Sequence, residues 1–90
     1  MNQEEIRNIL EANGCEDVVL FENPDYASAF VGVTTDDIAV YDYEKMVEHL
    51  VETDGMNEEE AADFISYNTI RSLPYQKGSP IVLMGLNHLL

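Results

Sequence analysis

Apolar residues recur along the chain with two periods, one typical of helices and one typical of strands. Near the start, Ile6, Ile9 and Leu10 follow the i, i+3, i+4 spacing of a single helix face. Asn2, with an acid three residues later, has the pattern of an N-cap in a capping box. Gly14 follows the last periodic position and is suited to the left-handed residue that ends many helices. The sequence therefore predicts a first helix between these two residues.

Three strand-like runs come next. They cover Asp17–Glu22, Tyr26–Val33 and Ile38–Tyr41, and the turn-forming segments Asn23–Asp25 and Thr34–Asp37 separate them. Gaps of three or four residues favour antiparallel hairpins over longer crossovers. We therefore expect three short strands in antiparallel succession.

Two helices are predicted after these strands. Asp42 is the N-cap of the first, whose apolar positions all fall on one face, and Asp54-Gly55 ends it. Asn57 begins the second, and Pro74 is expected to end it because a proline disfavours helix at the residue before it. The short link between the two helices predicts an αα-hairpin.

The remaining segment completes the predicted fold. Ile81–Met84 is an apolar run suited to a strand, and Gly85–Leu90 fits either a short helical turn or an apolar partner surface. The order α-β-β-β-α-α-β predicts an α+β fold over residues 1–90, as one domain. Its small antiparallel sheet would carry helices packed mainly on one face.

The charge is unevenly distributed along the chain. The 90 residues include 18 acids and 4 lysines or arginines, a formal charge of −14. All the acids lie in residues 1–63, which hold two bases and a net charge of −16, whereas residues 64–90 hold two bases and no acid. A surface built only for solubility usually mixes both signs. This segregation is the strongest functional signal in the sequence.

The composition also excludes several classes of protein. The negative charge disfavours direct binding to nucleic acids and to anionic membranes, which require a basic face. We expect no membrane span or signal peptide, because no apolar run is long enough and the start MNQEEIRN lacks a basic segment followed by an apolar one. A single cysteine, Cys15, fits a reducing compartment, and the expected location is cytoplasmic.

Three candidate sites are weighed against simpler structural roles. The αα-hairpin has the spacing of a helix-turn-helix, but Glu58–Glu60 would meet phosphates with like charge. Neither Asp36-Asp37 nor Asp54–Glu60 has the ligand spacing of a calcium loop. His49 with a neighbouring glutamate gives too few ligands for zinc. We therefore expect no metal and no cofactor.

Two polar features remain. Cys15 is followed by Glu16 and Asp17, which would raise the pKa of the thiol and disfavour a nucleophile. No catalytic constellation can be assigned, so we expect no enzyme. The polar segment Tyr67–Arg71 fits a helix end better than a contact patch, since Arg71 complements the helix dipole there.

Three segments carry a resemblance to known proteins: Tyr41–Val47, Asp54–Ala61 and Tyr67–Tyr75. In these the chain resembles small proteins of phages and bacterial mobile elements. As a short, acidic, single-domain α+β protein it is similar to anti-CRISPR proteins, many of which mimic nucleic acid on an effector nuclease. That resemblance implies an inhibitor of a type II CRISPR nuclease in a bacterial host. Anti-CRISPR proteins share no common motif, so no residue role is carried over.

The charge leads to the same expectation. A domain about 30 Å across matches a length of duplex that carries roughly 18 phosphates, which is close to the charge of residues 1–63. We predict that exposed acids bind a basic protein groove: Asp36, Asp37, Glu44, Glu48, Glu52, Glu58, Glu59 and Asp63. The alternative is an antitoxin-like or regulatory module that docks or dimerises through Ile81–Leu90, so the protein is expected as monomer or dimer. Two other possibilities are acidity that serves solubility alone and a metal-dependent enzyme.

Overall fold

The computed structural model describes residues 1–70 and 78–90, with only the backbone at residues 87 and 88. Its elements confirm the predicted α+β class and form one small sheet with helices packed against it. In chain order they are α1 (Gln3–Ala12), a 3-10 turn (Ala27–Ala29), β1 (Phe30–Val33), β2 (Ala39–Asp42), α2 (Tyr43–Asp54), α3 (Glu58–Asn68), β3 (Ile81–Leu83) and α4 (Leu86–Leu89).

The sheet is mixed rather than purely antiparallel. Its strands lie in the order β1-β2-β3, with β1 antiparallel and β3 parallel to β2. Tyr41 pairs with Phe30 on one side and with Val82 on the other. A parallel partner needs a long crossover, and the chain between β2 and β3 includes both α2 and α3. The helical hairpin therefore explains why the last strand returns in the parallel direction.

The predicted strand over Asp17–Glu22 is wrong. The structure has irregular chain here, although Val18 and Leu20 are buried. Side chains of α1 satisfy the backbone instead: the Arg7 guanidinium donates to the Val18 carbonyl at 3.1 Å, and Gln3 Nε2 donates to the Phe21 carbonyl at 2.9 Å. Because these bonds replace a strand ladder, the apolar pattern is kept without a strand.

The strand predicted over Tyr26–Val33 begins only at Phe30. Tyr26 adopts a left-handed conformation with φ of 49°, and residues 27–29 form a 3-10 turn. The side chain of Asp25 holds the start of this turn, because its Oδ1 accepts from the Ala27 backbone N–H at 2.9 Å. A regular strand would point Tyr26 and Ala29 to opposite faces of the sheet, whereas both are buried here.

The predicted N-caps Asn2, Asp42 and Asn57 are confirmed, although the side chain of Glu5 does not complete a capping box at Asn2. The side chains of Asn2 and Asp42 accept from backbone N–H groups in the first turns of α1 and α2. Asn57 and Glu60 form a reciprocal capping box at the start of α3, with donor–acceptor distances of 2.8 and 3.2 Å. Gly55 ends α2 with φ of 68°, a value that favours glycine. Local sequence therefore determines where these helices begin.

The end of α3 differs from the prediction. The helix stops at Asn68, before Pro74, and the buried Thr69 follows as its C-cap. Thr69 Oγ1 hydrogen-bonds the Tyr26 hydroxyl at 3.2 Å, and Asn68 Nδ2 donates to the Phe64 carbonyl. Both polar residues thus have structural partners. Arg71 and Pro74, with the other residues of 71–77, lie outside the described residues.

The core lies between one face of the sheet and the helices. The side chains of Ala39 and Tyr41 on β2 are fully buried, and α2 contacts both β2 and the 3-10 turn. The Phe21 ring packs against Tyr26 and Tyr41, with centroids 5.6 and 4.6 Å apart. The buried apolar residues are Ile6, Leu10, Val18, Leu20, Tyr26, Ala29, Ala39, Tyr41, Tyr43, Met46, Leu50, Ala61 and Ile65.

Candidate functional site: an acidic surface on two helices and a hairpin

All eight acids that the sequence nominated as partner-binding residues are exposed. They occupy three places: the β1–β2 turn, the outer face of α2 and the first half of α3. They are Asp36, Asp37, Glu44, Glu48, Glu52, Glu58, Glu59 and Asp63. Of the 18 acids in the chain, only Asp25 and Asp42 are half-buried, and both accept backbone hydrogen bonds there. The acidity is therefore almost entirely on the surface.

The hairpin between β1 and β2 presents Asp36 and Asp37 at its tip. Thr34 organises the turn, since its Oγ1 accepts from the backbone N–H groups of Asp36 and Ile38, each at 3.2 Å. Asp37 has φ of 62°, a left-handed conformation that aspartate tolerates better than most residues. The turn therefore fixes the backbone at the two acids.

Cys15 lies close to this hairpin tip. Its Sγ is 3.6 Å from Asp37 Oδ1, and desolvation, followed by the Asp37 carboxylate, raises the pKa of the thiol. The sequence predicted a raised pKa but attributed it to Glu16 and Asp17. The responsible carboxylate is instead distant in sequence. A thiol that ionises less readily is a poor nucleophile at neutral pH.

The outer face of α2 carries a stripe of carboxylates. Glu44, Glu48 and Glu52 follow each other at intervals of four residues, so they project from one side at about 6 Å per step. The opposite face is core, with Met46 and Leu50 fully buried. A helix that is fixed by its apolar face holds its carboxylates in a defined row.

An open groove brings part of this stripe together with α3. The groove has a volume of about 270 Å³ and is lined by Tyr43, Glu44, Val47, Glu48 and Glu58. Three of the eight predicted acids therefore meet at one place. The two non-acidic lining residues offer apolar surface beside the carboxylates. This combination suits a lysine or arginine, whose apolar stem packs while its charged head meets carboxylates.

The other predicted acids do not line this groove. Glu52 lies one turn further along α2, and Glu59 and Asp63 lie further along α3 than Glu58. Asp36 and Asp37 belong to the hairpin tip. The acidic surface is therefore a groove with flanking carboxylates and a separate acidic tip.

The overall charge density is lower than that of a duplex. The molecule measures 37 × 26 × 25 Å, longer than the sequence estimate. A duplex as long as its longest axis carries about 22 negative charges, so the formal charge of −14 is roughly two thirds of that value. The formal charge per unit length is thus lower than that of a duplex but of the same order.

His49 is half-buried on α2. Its ring lies 5.6 Å from the Tyr26 ring at an angle of 60°, and Nδ1 is 3.4 Å from Ser28 Oγ. These contacts tie α2 to the 3-10 turn. Within residues 1–70 and 78–90, no three histidine, cysteine or acidic side chains are grouped to hold a metal ion.

The sequence left the role of the C-terminal apolar residues open, and the structure places most of them at the surface. They belong to β3, to α4 and to the residues beside them. Six are between 38% and 91% exposed: Ile81, Leu83, Met84, Leu86, Leu89 and Leu90. The apolar pattern alone does not reveal this exposure, because the same apolar run fits a buried strand and an apolar contact surface.

Comparisons with known proteins give no further identification. No family model matches the chain, and neither the curated proteins nor the solved structures include a match. Among the described residues, no helix has the length and apolar character needed to cross a membrane.

Proposed function

We propose that the protein is a non-enzymatic inhibitor that occupies a basic nucleic-acid-binding groove of another protein. The observation that carries this proposal is the acidic surface itself: eight exposed carboxylates on two helices and a hairpin tip, three of which meet at one groove. The rest of the chain has no acid after Asp63. The acids are thus concentrated on elements that the core holds in place.

The mechanism follows from charge and geometry. The strongly negative surface steers the protein toward a basic cleft and accelerates encounter at low salt. Once bound, carboxylates pair with arginine forks in the bidentate geometry that those forks otherwise make with phosphates. The groove between α2 and α3 accepts one such side chain. Nucleic acid is then excluded because its phosphates need the same cations.

The proposed partner is a type II CRISPR effector nuclease or its guide complex, in the cytoplasm of a bacterial host. The resemblance to anti-CRISPR proteins motivates this choice, and the acidic surface fits a positively charged nucleic-acid channel. In this proposal the protein binds no nucleic acid and needs no cofactor.

Charge reversal tests the proposal. The variant Glu44→Lys/Glu48→Lys/Glu58→Lys places three cations at the groove, and we expect at least a 100-fold loss of affinity for the guide-loaded nuclease. The matched control, Glu4→Lys/Glu11→Lys/Glu22→Lys, changes the net charge equally at exposed acids outside the nominated set. It should lose much less affinity.

Binding and inhibition of DNA cleavage are measured for both variants against the unmodified chain at low and high salt. Equal losses in the two triple variants would mean that bulk charge, and not the acidic surface, is responsible. Undiminished inhibition by the groove variant would contradict mimicry.

A second candidate function has an observation in its favour. The exposed apolar residues of β3 and α4 fit an antitoxin-like or regulatory module that docks through residues 81–90. The salt dependence of partner binding distinguishes the two candidate functions, because ionic contacts weaken as salt rises and apolar contacts do not. A native partner whose binding survives high salt and fails in Leu86→Lys would support this second candidate.

A further inference from the structure

The exposed apolar residues near the C-terminus form a surface that the acidic groove does not use. We define the C-terminal apolar surface as Ile81, Leu83, Met84, Leu86, Leu89 and Leu90. We propose that two copies of this chain associate through this surface around a two-fold axis. This inference is independent of the proposed function, since it involves none of the nominated acids.

The strand β3 orients part of this surface away from the core. Successive strand residues point to opposite faces of a sheet. Val82 packs against the core, so Ile81 and Leu83 lie on the other face, and both are substantially exposed. Asp42 on β2 pairs with Leu83 on β3, and the carboxylate of Asp42 caps the start of α2. The strand therefore offers apolar side chains with no free acid beside them in the sheet.

The helix α4 and its flanking residues extend the surface. Leu86 and Leu89 lie at i and i+3 on α4, a spacing that places two residues on the same side of a helix. They are 73% and 67% exposed, and Met84 just before them is 45% exposed. Large apolar side chains in this number are unusual on the surface of a protein that remains a monomer.

The exposed surface is extensive enough to contribute to a dimer interface. The six residues are between 38% and 91% exposed, and burying them would supply a large part of the ~800 Å² that each partner contributes to an interface of standard size. In a two-fold arrangement each residue meets residues of the same set on the other copy. The surface is self-complementary in this sense, because apolar side chains face apolar side chains.

Repulsion between carboxylates favours this surface over the acidic part of the molecule for contact between two copies. Two molecules of formal charge −14 repel each other wherever their carboxylates meet. Residues 64–90 hold no acidic residue, so contact through the C-terminal apolar surface brings no acidic side chain of that region toward the other copy. A second copy is therefore the occupant that the composition favours.

Sedimentation equilibrium of the full chain tests this inference. We expect the mass to rise with concentration toward twice the chain mass of 10.2 kDa. Added salt should strengthen the association, since it screens the repulsion between two anionic molecules. This is opposite to the salt response expected for binding of the acidic surface to a basic protein, so the two proposals fail independently.

Substitution at the surface locates the contact. Leu86→Lys and Leu89→Lys should each weaken self-association by at least about 30-fold, the effect of losing an interface hot spot. A lysine also lowers the net negative charge, which by itself favours association. The control Asn8→Lys makes the same charge change at an exposed position of α1 and should not weaken the dimer. Circular dichroism checks that each variant is folded.

Three results would overturn the inference. One is a wild-type protein that sediments as a monomer at every accessible concentration and salt. Another is association that persists in the double variant Leu86→Lys/Leu89→Lys. The third is open-ended growth beyond the dimer, which a closed two-fold contact does not allow.

Discussion

Residues 1–63 and residues 64–90 use their apolar side chains in opposite ways. The first region is densely acidic, yet it supplies almost the whole core, including the fully buried Met46 and Leu50. The second has no acid, but much of its apolar surface is exposed, as Leu86 and Leu89 show. Charge and burial are thus separated within each helix of the first region, whereas the second region has no acid and, among its described residues, exposes most of its apolar side chains after Ile65. The comparison distinguishes the acidic surface that we propose binds a basic protein from the apolar surface that we propose joins two copies.

The largest expected contrast between the regions is in stability. Leu50→Ala removes a fully buried side chain of α2 and should lower the free energy of unfolding by about 2–5 kcal/mol, through lost burial and the cavity left behind. Leu86→Ala should change it by less than about 0.5 kcal/mol, because this side chain is exposed. Urea denaturation at a concentration where the protein is monomeric measures both values. Equal losses would mean that the C-terminal residues belong to the core.

A smaller contrast lies in the helix starts. α3 has a complete capping box, whereas α4 has Gly85 at its N-cap and no side-chain cap. Asn57→Ala should therefore cost about 1 kcal/mol of unfolding free energy. As a control, Asn8→Ala alters an exposed asparagine inside α1 and should leave stability unchanged or slightly higher. If both substitutions cost the same, the cap contributes nothing.

Alkaline pH should destabilise the core of the acidic region. Burial raises the pKa of Tyr26 and Tyr41, so the folded state holds their protons at a pH where the unfolded chain has released them. The unfolded state then binds fewer protons, and stability falls as pH rises above about 10, the ordinary pKa of tyrosine. Urea denaturation over this range, in a Cys15→Ser background to remove the thiol, measures the loss. Tyr41→Phe should make the dependence shallower, and an unchanged slope would contradict this assignment.

The smallest expected effect concerns the acidic hairpin tip. Asp37→Asn removes the carboxylate beside Cys15 and should increase the rate of reaction with a thiol reagent by a few-fold at neutral pH. Asp36→Asn is the matched control, since it removes the neighbouring charge of the same turn. A larger acceleration in the control would show that the nearby carboxylate is not the one that matters.

Local patterns predicted the helices better than the strands. A cap and an apolar face depend on residues three or four positions apart, so Asn2, Asp42 and Asn57 were identified correctly. The segment Asp17–Glu22 was not, because its backbone bonds come from side chains of α1 that are 11 and 18 residues away. The parallel pairing of β3 with β2 also joins residues that are far apart in the sequence, so local patterns do not reveal it.

The candidate site likewise has some features that local sequence patterns predict and others that depend on tertiary packing. Exposure of Glu44, Glu48 and Glu52 follows from the helical period, and the sequence predicted it. The groove that joins two of them to Glu58 depends on how α2 packs against α3, which no single helix reveals. The proximity of Cys15 to Asp37 likewise depends on tertiary structure.

Displacement of DNA from the nuclease measures directly whether the acidic surface competes with nucleic acid for the same groove. Fluorescence anisotropy follows labelled target DNA bound to a guide-loaded type II effector nuclease while the unmodified chain is titrated in. If the acidic surface competes with nucleic acid, the chain releases the DNA, release weakens as salt rises, and the Glu44→Lys/Glu48→Lys/Glu58→Lys variant releases none. Simultaneous binding of DNA and chain, or release by that variant equal to the unmodified chain, would contradict this competition.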